Sequence, residues 1–191
     1  MLYLNTLRSN LIQICLTATV VIGLTSSLPA QLVYTASFTR KIEKAGIDLY
    51  KPVEQWLHVY PLDKDSFMTY DLVLQNDIND FEVRYRLRPD KGKWRNTPNE
   101  IEFKRLLSSL ATNDPEASIR TYFPDSTFAR DNYNAASCYF ADFIPKASYT
   151  EKPYATLVCL RSDQNVSVDI ILLHYDPESD PMESFRNLRF Q

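Results

Sequence analysis

Apolar and polar positions are most regularly patterned between residues 135 and 175, where three successive runs read as β-strands. In residues 135–146, Tyr139, Ala141 and Phe143 alternate with Cys138, Phe140, Asp142 and Ile144. Both faces are largely apolar, as in a central strand covered on each side. Residues 154–162 and 166–175 have the same character and the β-branched enrichment of strands. The gaps at 148–153 and 162–165 are rich in turn residues and short enough for antiparallel neighbours, so the three strands form a meander. Asp180-Pro181-Met182-Glu183 then reads as an N-cap, a first-turn proline and a capping glutamate. It predicts a closing helix over 181–190, with Met182, Phe185 and Leu188 on the face that would lie on a sheet.

The earlier chain is less regular. Residues 31–46 read as a lead-in segment, with a short helix over 38–45 stopped by Gly46. Residues 47–60 hold two short extended runs broken at Lys51-Pro52, the second carrying Trp56. Residues 68–74 and 81–87 follow as strands joined by the turn-rich 76–80. The strongest helix start is Thr97-Pro98-Asn99-Glu100, with Thr97 as cap and Phe103, Leu106, Leu107 and Leu110 on the buried face. A short helix is expected from Asp114-Pro115-Glu116 to about Tyr122, and a weaker helical turn over 127–131. Strands, helices, strands and a helix in that order predict one α+β domain over 47–191, an antiparallel β-sheet with helices packed on it.

Composition alters this picture mainly at the N-terminus. Arg8 precedes an apolar run, residues 11–24, and Ala30 ends a small-residue site, so residues 1–30 read as a cleaved signal peptide. The run of about fourteen is shorter than the roughly twenty residues that cross a bilayer. An extracytoplasmic location, periplasmic or secreted, is expected, with no transmembrane anchor after cleavage. Export gives Cys138 and Cys159 two readings, a cross-strand disulfide between adjacent strands or two buried thiols. The chain carries a formal charge of −3 and 45% hydrophobic residues, enough for one core.

The chemistry is defined mostly by what is missing. Three glycines in the whole chain exclude Gly-rich phosphate cradles and the G-x-S-x-G elbow. The two histidines, His58 and His174, have no metal-ligand spacing, so neither a metal nor a cofactor is expected. His174 with Asp142 or Asp169 is the one constellation that would suit a hydrolase, and each also reads as a plain strand residue. The most distinctive signal is Arg84, Arg86 and Arg88, which period-two spacing places on one strand face, with Phe81, Val83, Tyr85 and Leu87 on the other. Lys91, Lys93 and Arg95 extend the positive character. The stripe reads either as a contact for an anionic protein or envelope component or as a charged outer face that discourages edge pairing. Export and acidic overall charge argue against nucleic acid. Asn165-Val166-Ser167 is a glycosylation sequon in a turn.

The early strand Lys51-Pro52-Val53-Glu54-Gln55-Trp56, the helix over 100–110, the three-strand block over 135–175 and the closing 182–190 together resemble the PsbP/Mog1-like group of α/β/α sandwiches. The resemblance implies a sheet with helices packed on it and a non-enzymatic, partner-supporting role. Residues and resemblance together lead to the expectation of an exported, non-catalytic accessory or interaction protein. The alternative is a small-ligand binder with a pocket between sheet and helix, walled by Trp56, Tyr70 and Tyr85.

Overall fold

A computed structural model describes residues 34–50, 57–59, 68–76, 81–88, 97–176 and 188–191. These lie within one compact unit, Leu32–Gln191. Three helices and nine strands are described: α1 (Ala36–Lys44), β1 (Ile47–Leu49), β2 (Leu57–Val59), β3 (Leu72–Asn76), β4 (Phe81–Arg88), α2 (Asn99–Leu110), β5 (Arg120–Tyr122), α3 (Ser126–Tyr133), β6 (Ser137–Phe143), β7 (Tyr154–Arg161), β8 (Ser167–His174) and β9 (Leu188–Phe190). The fold is α+β, as the element order predicts.

Seven strands form one antiparallel sheet in the order β2-β3-β4-β8-β7-β6-β5. The meander β6-β7-β8 has the expected bounds within three residues. It meets the earlier block β2-β3-β4 along a seam in which Arg86 lies opposite Asp169 and Arg88 opposite Ser167. The period of two then divides the side chains between two cores. On one face Val83, Tyr85, Val158, Ile170 and Leu172 pack with α1 (Phe38, Ile42), α3 (Ala129, Tyr133) and the β1–β9 pair. On the other, Leu157, Ile171 and Leu173 pack under α2 through Phe103, Leu106, Leu107 and Leu110, the face its spacing predicts.

Four expectations are corrected. The segment before residue 47 is more than a lead-in, because Phe38 and Ile42 of α1 are buried in the first core. Gly46 does follow α1, at φ +62, the left-handed conformation that a C-terminal stop requires. Residues 188–190 are not helical: Leu188 and Phe190 point inward and Arg189 outward as β9 pairs with β1. A tertiary partner for the backbone overrides the helical spacing there; Met182 and Phe185 lie outside the described residues. Residues 114–122 do not form a helix either. Asp114 closes a turn by accepting from the Glu116 amide, and Arg120–Tyr122 pairs with β6 as an edge strand. Finally, α2 begins one residue later than its capping signal predicts, with Pro98 at the cap position and no side-chain cap bond. Its ends are tied down otherwise. Arg161 donates to the Thr97 carbonyl, Asn99 donates to Ser137 Oγ and the Cys159 carbonyl, and Lys146 Nζ donates to the carbonyls of Ser108 and Ser109.

By contrast, the weak helical turn expected over 127–131 is the longer α3, capped by Asp125, whose carboxylate accepts from the Phe128 amide. The predicted signal peptide lies outside the described residues. Among the described residues no helix is long and apolar enough to cross a membrane.

Candidate functional site

Strand β4 is an interior strand of the sheet, and its three arginines point toward the layer that α2 occupies. They share one face, as their spacing requires, yet they are not an open surface. Their side chains are only 14%, 24% and 19% exposed for Arg84, Arg86 and Arg88. The expectation of a solvent-facing stripe is therefore corrected. The interior position of β4 also removes the reading of these charges as guards of a free edge.

Each arginine meets a different environment. Arg84 pairs with Glu82 and lies over the rings of Tyr70 and Tyr149, 5.1 and 4.8 Å from their centroids. The two phenol oxygens are 2.7 Å apart. Burial works against the Arg84 charge, but Tyr149 and Glu82 outweigh it and hold the guanidinium above its ordinary range. Arg88 grips Asp169 in two parallel bonds of 2.7 Å, Nε to Oδ2 and Nη2 to Oδ1. Here too burial opposes the charge, and Asp169, with Glu102 behind it, raises the Arg88 pKa. Asp169 is thus the paired carboxylate of a buried ion pair.

Arg86 is different. Its Nη1 donates to the thioether of Met68 at 3.7 Å, and its Nε stands 3.8 Å from an Asp169 oxygen that Arg88 already holds. Among the described residues it makes no hydrogen bond to an oxygen. A thioether is a weak acceptor, so a guanidinium with five N–H donors is poorly served.

Arg86 opens into a cleft of about 200 Å³ between the sheet and α2. Met68, Arg86, Arg88 and Asp169 line the sheet side, and Glu102, Arg105, Leu106 and Ser109 the helix side. Residues 102, 105, 106 and 109 recur at three- and four-residue spacing, so one stripe of α2 supplies that wall. Glu102 Oε2 accepts from Arg105 Nη2 at 2.9 Å and lies 3.6 Å from Arg88 Nη1. Three arginines thus face two carboxylates.

A gap between sheet and helix is where the sequence places a pocket, but the wall residues differ. Tyr85 is buried in the opposite core, and Tyr70 in the α2-side core beside Tyr149; neither lines the cleft. Trp56 lies outside the described residues, as do Lys91, Lys93 and Arg95. Glu102 and Arg105 are the site residues that sequence reasoning misses. Their i,i+3 spacing and the inward turn of Glu102 on the predicted face of α2 are the signals that were available.

No protein-family model matches this chain, and no curated protein matches it. The site is therefore read from its geometry.

The remaining candidates do not converge. Cys138 and Cys159 are both buried free thiols, which corrects the disulfide reading. The register sets Cys159 opposite Tyr139 and Cys138 opposite Leu160, one step out of line. A one-residue offset puts the two sulfurs on opposite faces of the sheet. Burial pushes both thiols above their ordinary pKa, with Asp169 adding to the effect at Cys159. Both are held as inert core residues.

His174 shares a sheet face with Asp142, whereas Asp169 faces the other way, so His174 and Asp169 do not form a pair. Asp142 accepts from Thr156 Oγ1 at 2.8 Å. His174 donates from Nδ1 to the Asp176 carbonyl and stacks on Tyr154, with ring centroids 5.8 Å apart. Burial lowers its pKa, although the Asp176 carbonyl and Asp142 pull the other way. His58 lies in β2 opposite Gln75. Among the described residues no three His, Cys, Asp or Glu side chains come together as a metal site. Asn165 is exposed in the β7–β8 turn with φ 61.

Proposed function

We propose that this protein is a non-catalytic binding protein for a small carboxylate compound, held in the cleft between α2 and the β4–β8 seam. The observation that carries this reading is Arg86. Its guanidinium opens into the cleft, is only 24% exposed and, among the described residues, has a thioether as its one hydrogen-bond acceptor. Planar, bidentate donors match a carboxylate, and the excess of one positive charge in the cleft favours an anion. Arg88 is committed to Asp169 and serves as support rather than as the contact. The cleft volume, roughly that of six or seven water molecules, limits the ligand to a few heavy atoms.

The resemblance to PsbP/Mog1-like proteins also implies a non-enzymatic role, and the N-terminal pattern of Arg8, residues 11–24 and Ala30 supports export. The anionic partner thus becomes a small molecule in a cleft rather than a macromolecule on a stripe.

The test is calorimetric titration with small carboxylates, with and without a 2-amino group, at constant ionic strength. Saturable binding is expected, and Arg86→Met is expected to weaken it about tenfold or more, the effect of losing a charge-assisted hydrogen bond. A folded Arg86→Met variant that binds as wild type does would remove Arg86 from the site. Failure of every carboxylate to bind would end the proposal.

A further inference from the structure

The class of the ligand rests on the carboxylate site proposed above. We infer that the cleft takes a small α-amino carboxylate, whose ammonium group meets Glu102 while its carboxylate meets Arg86 and Arg105.

Beside Arg86, Glu102 is a second group of the cleft that lacks a partner. Its side chain is 6% exposed and faces the cleft from α2. Among the described residues only one of its oxygens is engaged: Oε2 accepts from Arg105, while Oε1 has no hydrogen-bond partner. A carboxylate has about four lone-pair sites, and leaving one oxygen buried and unpaired is costly. Asp169, the other carboxylate of the cleft, has both oxygens filled by Arg88. The missing partner is thus a donor, preferably cationic, delivered to Glu102.

Arg105 makes that delivery cheap. Its side chain is 55% exposed, and its bond to Glu102 is an i,i+3 pair at the rim. Only the Arg105 end of the pair is exposed, so its guanidinium can turn from Glu102 to a ligand while it stays solvated at the rim. The end of a glutamate side chain turns about a broad two-fold torsion, which exchanges its two oxygens. A zwitterion can therefore enter between Glu102 and Arg105. Its ammonium takes over Glu102 with up to three donors, and its carboxylate receives Arg105 on one side and Arg86 on the other. One ion pair becomes three, the ammonium with Glu102 and the carboxylate with Arg105 and Arg86, and the charge of the cleft is unchanged. A metal cation would instead face three guanidinium groups. Met68 and Leu106 complete the wall with apolar surface, which suits a short aliphatic side chain.

Three matched probes separate the parts: L-valine, 3-methylbutanoate, which lacks only the ammonium group, and 2-methylpropylamine, which lacks only the carboxylate. On the purified full chain, L-valine is expected to bind about tenfold or more tightly than 3-methylbutanoate, the effect of one charge-assisted hydrogen bond. The amine alone should show no saturable binding. In Glu102→Gln the two carboxylates should bind alike. Equal binding of L-valine and 3-methylbutanoate to the wild type overturns the amino-carboxylate assignment and leaves the carboxylate site standing. Binding of neither overturns both. The wild-type comparison decides the matter even if Glu102→Gln fails to fold.

Discussion

Asp169 is a buried carboxylate met by two arginines. It is 1% exposed, held by two short bonds from Arg88 and approached by Arg86. Breaking a buried pair on one side leaves an uncompensated charge, which costs more than the pair itself contributes. Asp169→Asn is therefore expected to destabilise the fold by about 3 kcal/mol, read from the denaturant midpoint. Adding Arg88→Met should recover part of that loss, because the stranded charge is then gone. A double variant as unstable as the sum of the two single ones would show that the residues do not act as a pair. The Asp169 partner was not legible in the sequence. Asp169 stands out as a carboxylate in an apolar strand, and Arg88 as a member of a period-two series. Only the β4–β8 register brings them together, and that register joins strands far apart in the chain.

At the scale of elements, local signals succeeded where the element's own side chains decide its state. The apolar face of α2 is the predicted one, and the alternation of β4 divides its residues between two layers as expected. They failed where a partner decides. Residues 188–190 carry a helical spacing but bond to β1, and Arg120–Tyr122 follows a capping signal but extends the sheet. Between the two readings of the thiols the register decides, because shifting the β6–β7 pairing by one residue moves a side chain to the other face. Gly46 is a local signal that can be tested directly. At φ +62 it ends α1 and turns the chain into β1, and an added Cβ would meet nothing closer than 4.0 Å. The cost of Gly46→Ala is therefore conformational, about 1 kcal/mol, seen as a lower melting temperature. An unchanged melting temperature would mean that the left-handed turn is not required.

At the largest scale, the described residues form a sheet with different contents on its two sides. The side carrying α1, α3 and the β1–β9 pair is an apolar core, whereas the α2 side combines an apolar core with the buried charges of β4 and β8. The pH response is expected to come in part from the first side. Burial lowers the pKa of His174 below its unfolded value of about 6.5. The unfolded chain then binds the proton first, so stability is full above about pH 6.5 and falls as the pH drops through the folded pKa. In His174→Gln that part of the pH slope should disappear in denaturant titrations between neutral and mildly acidic pH. A slope identical to the wild type would assign it to other groups.

The central claim is that Arg86 is the anchor of a carboxylate site, and arginine Nε–Hε NMR spectra test it most directly. The Arg86 resonance, assigned by its loss in Arg86→Met, should shift saturably as L-valine or 3-methylbutanoate is added at constant ionic strength. Arg84, enclosed by Glu82 and two tyrosine rings on the same strand face, should move far less. A stationary Arg86 resonance, or a uniform unsaturable drift of all arginines, would contradict the claim.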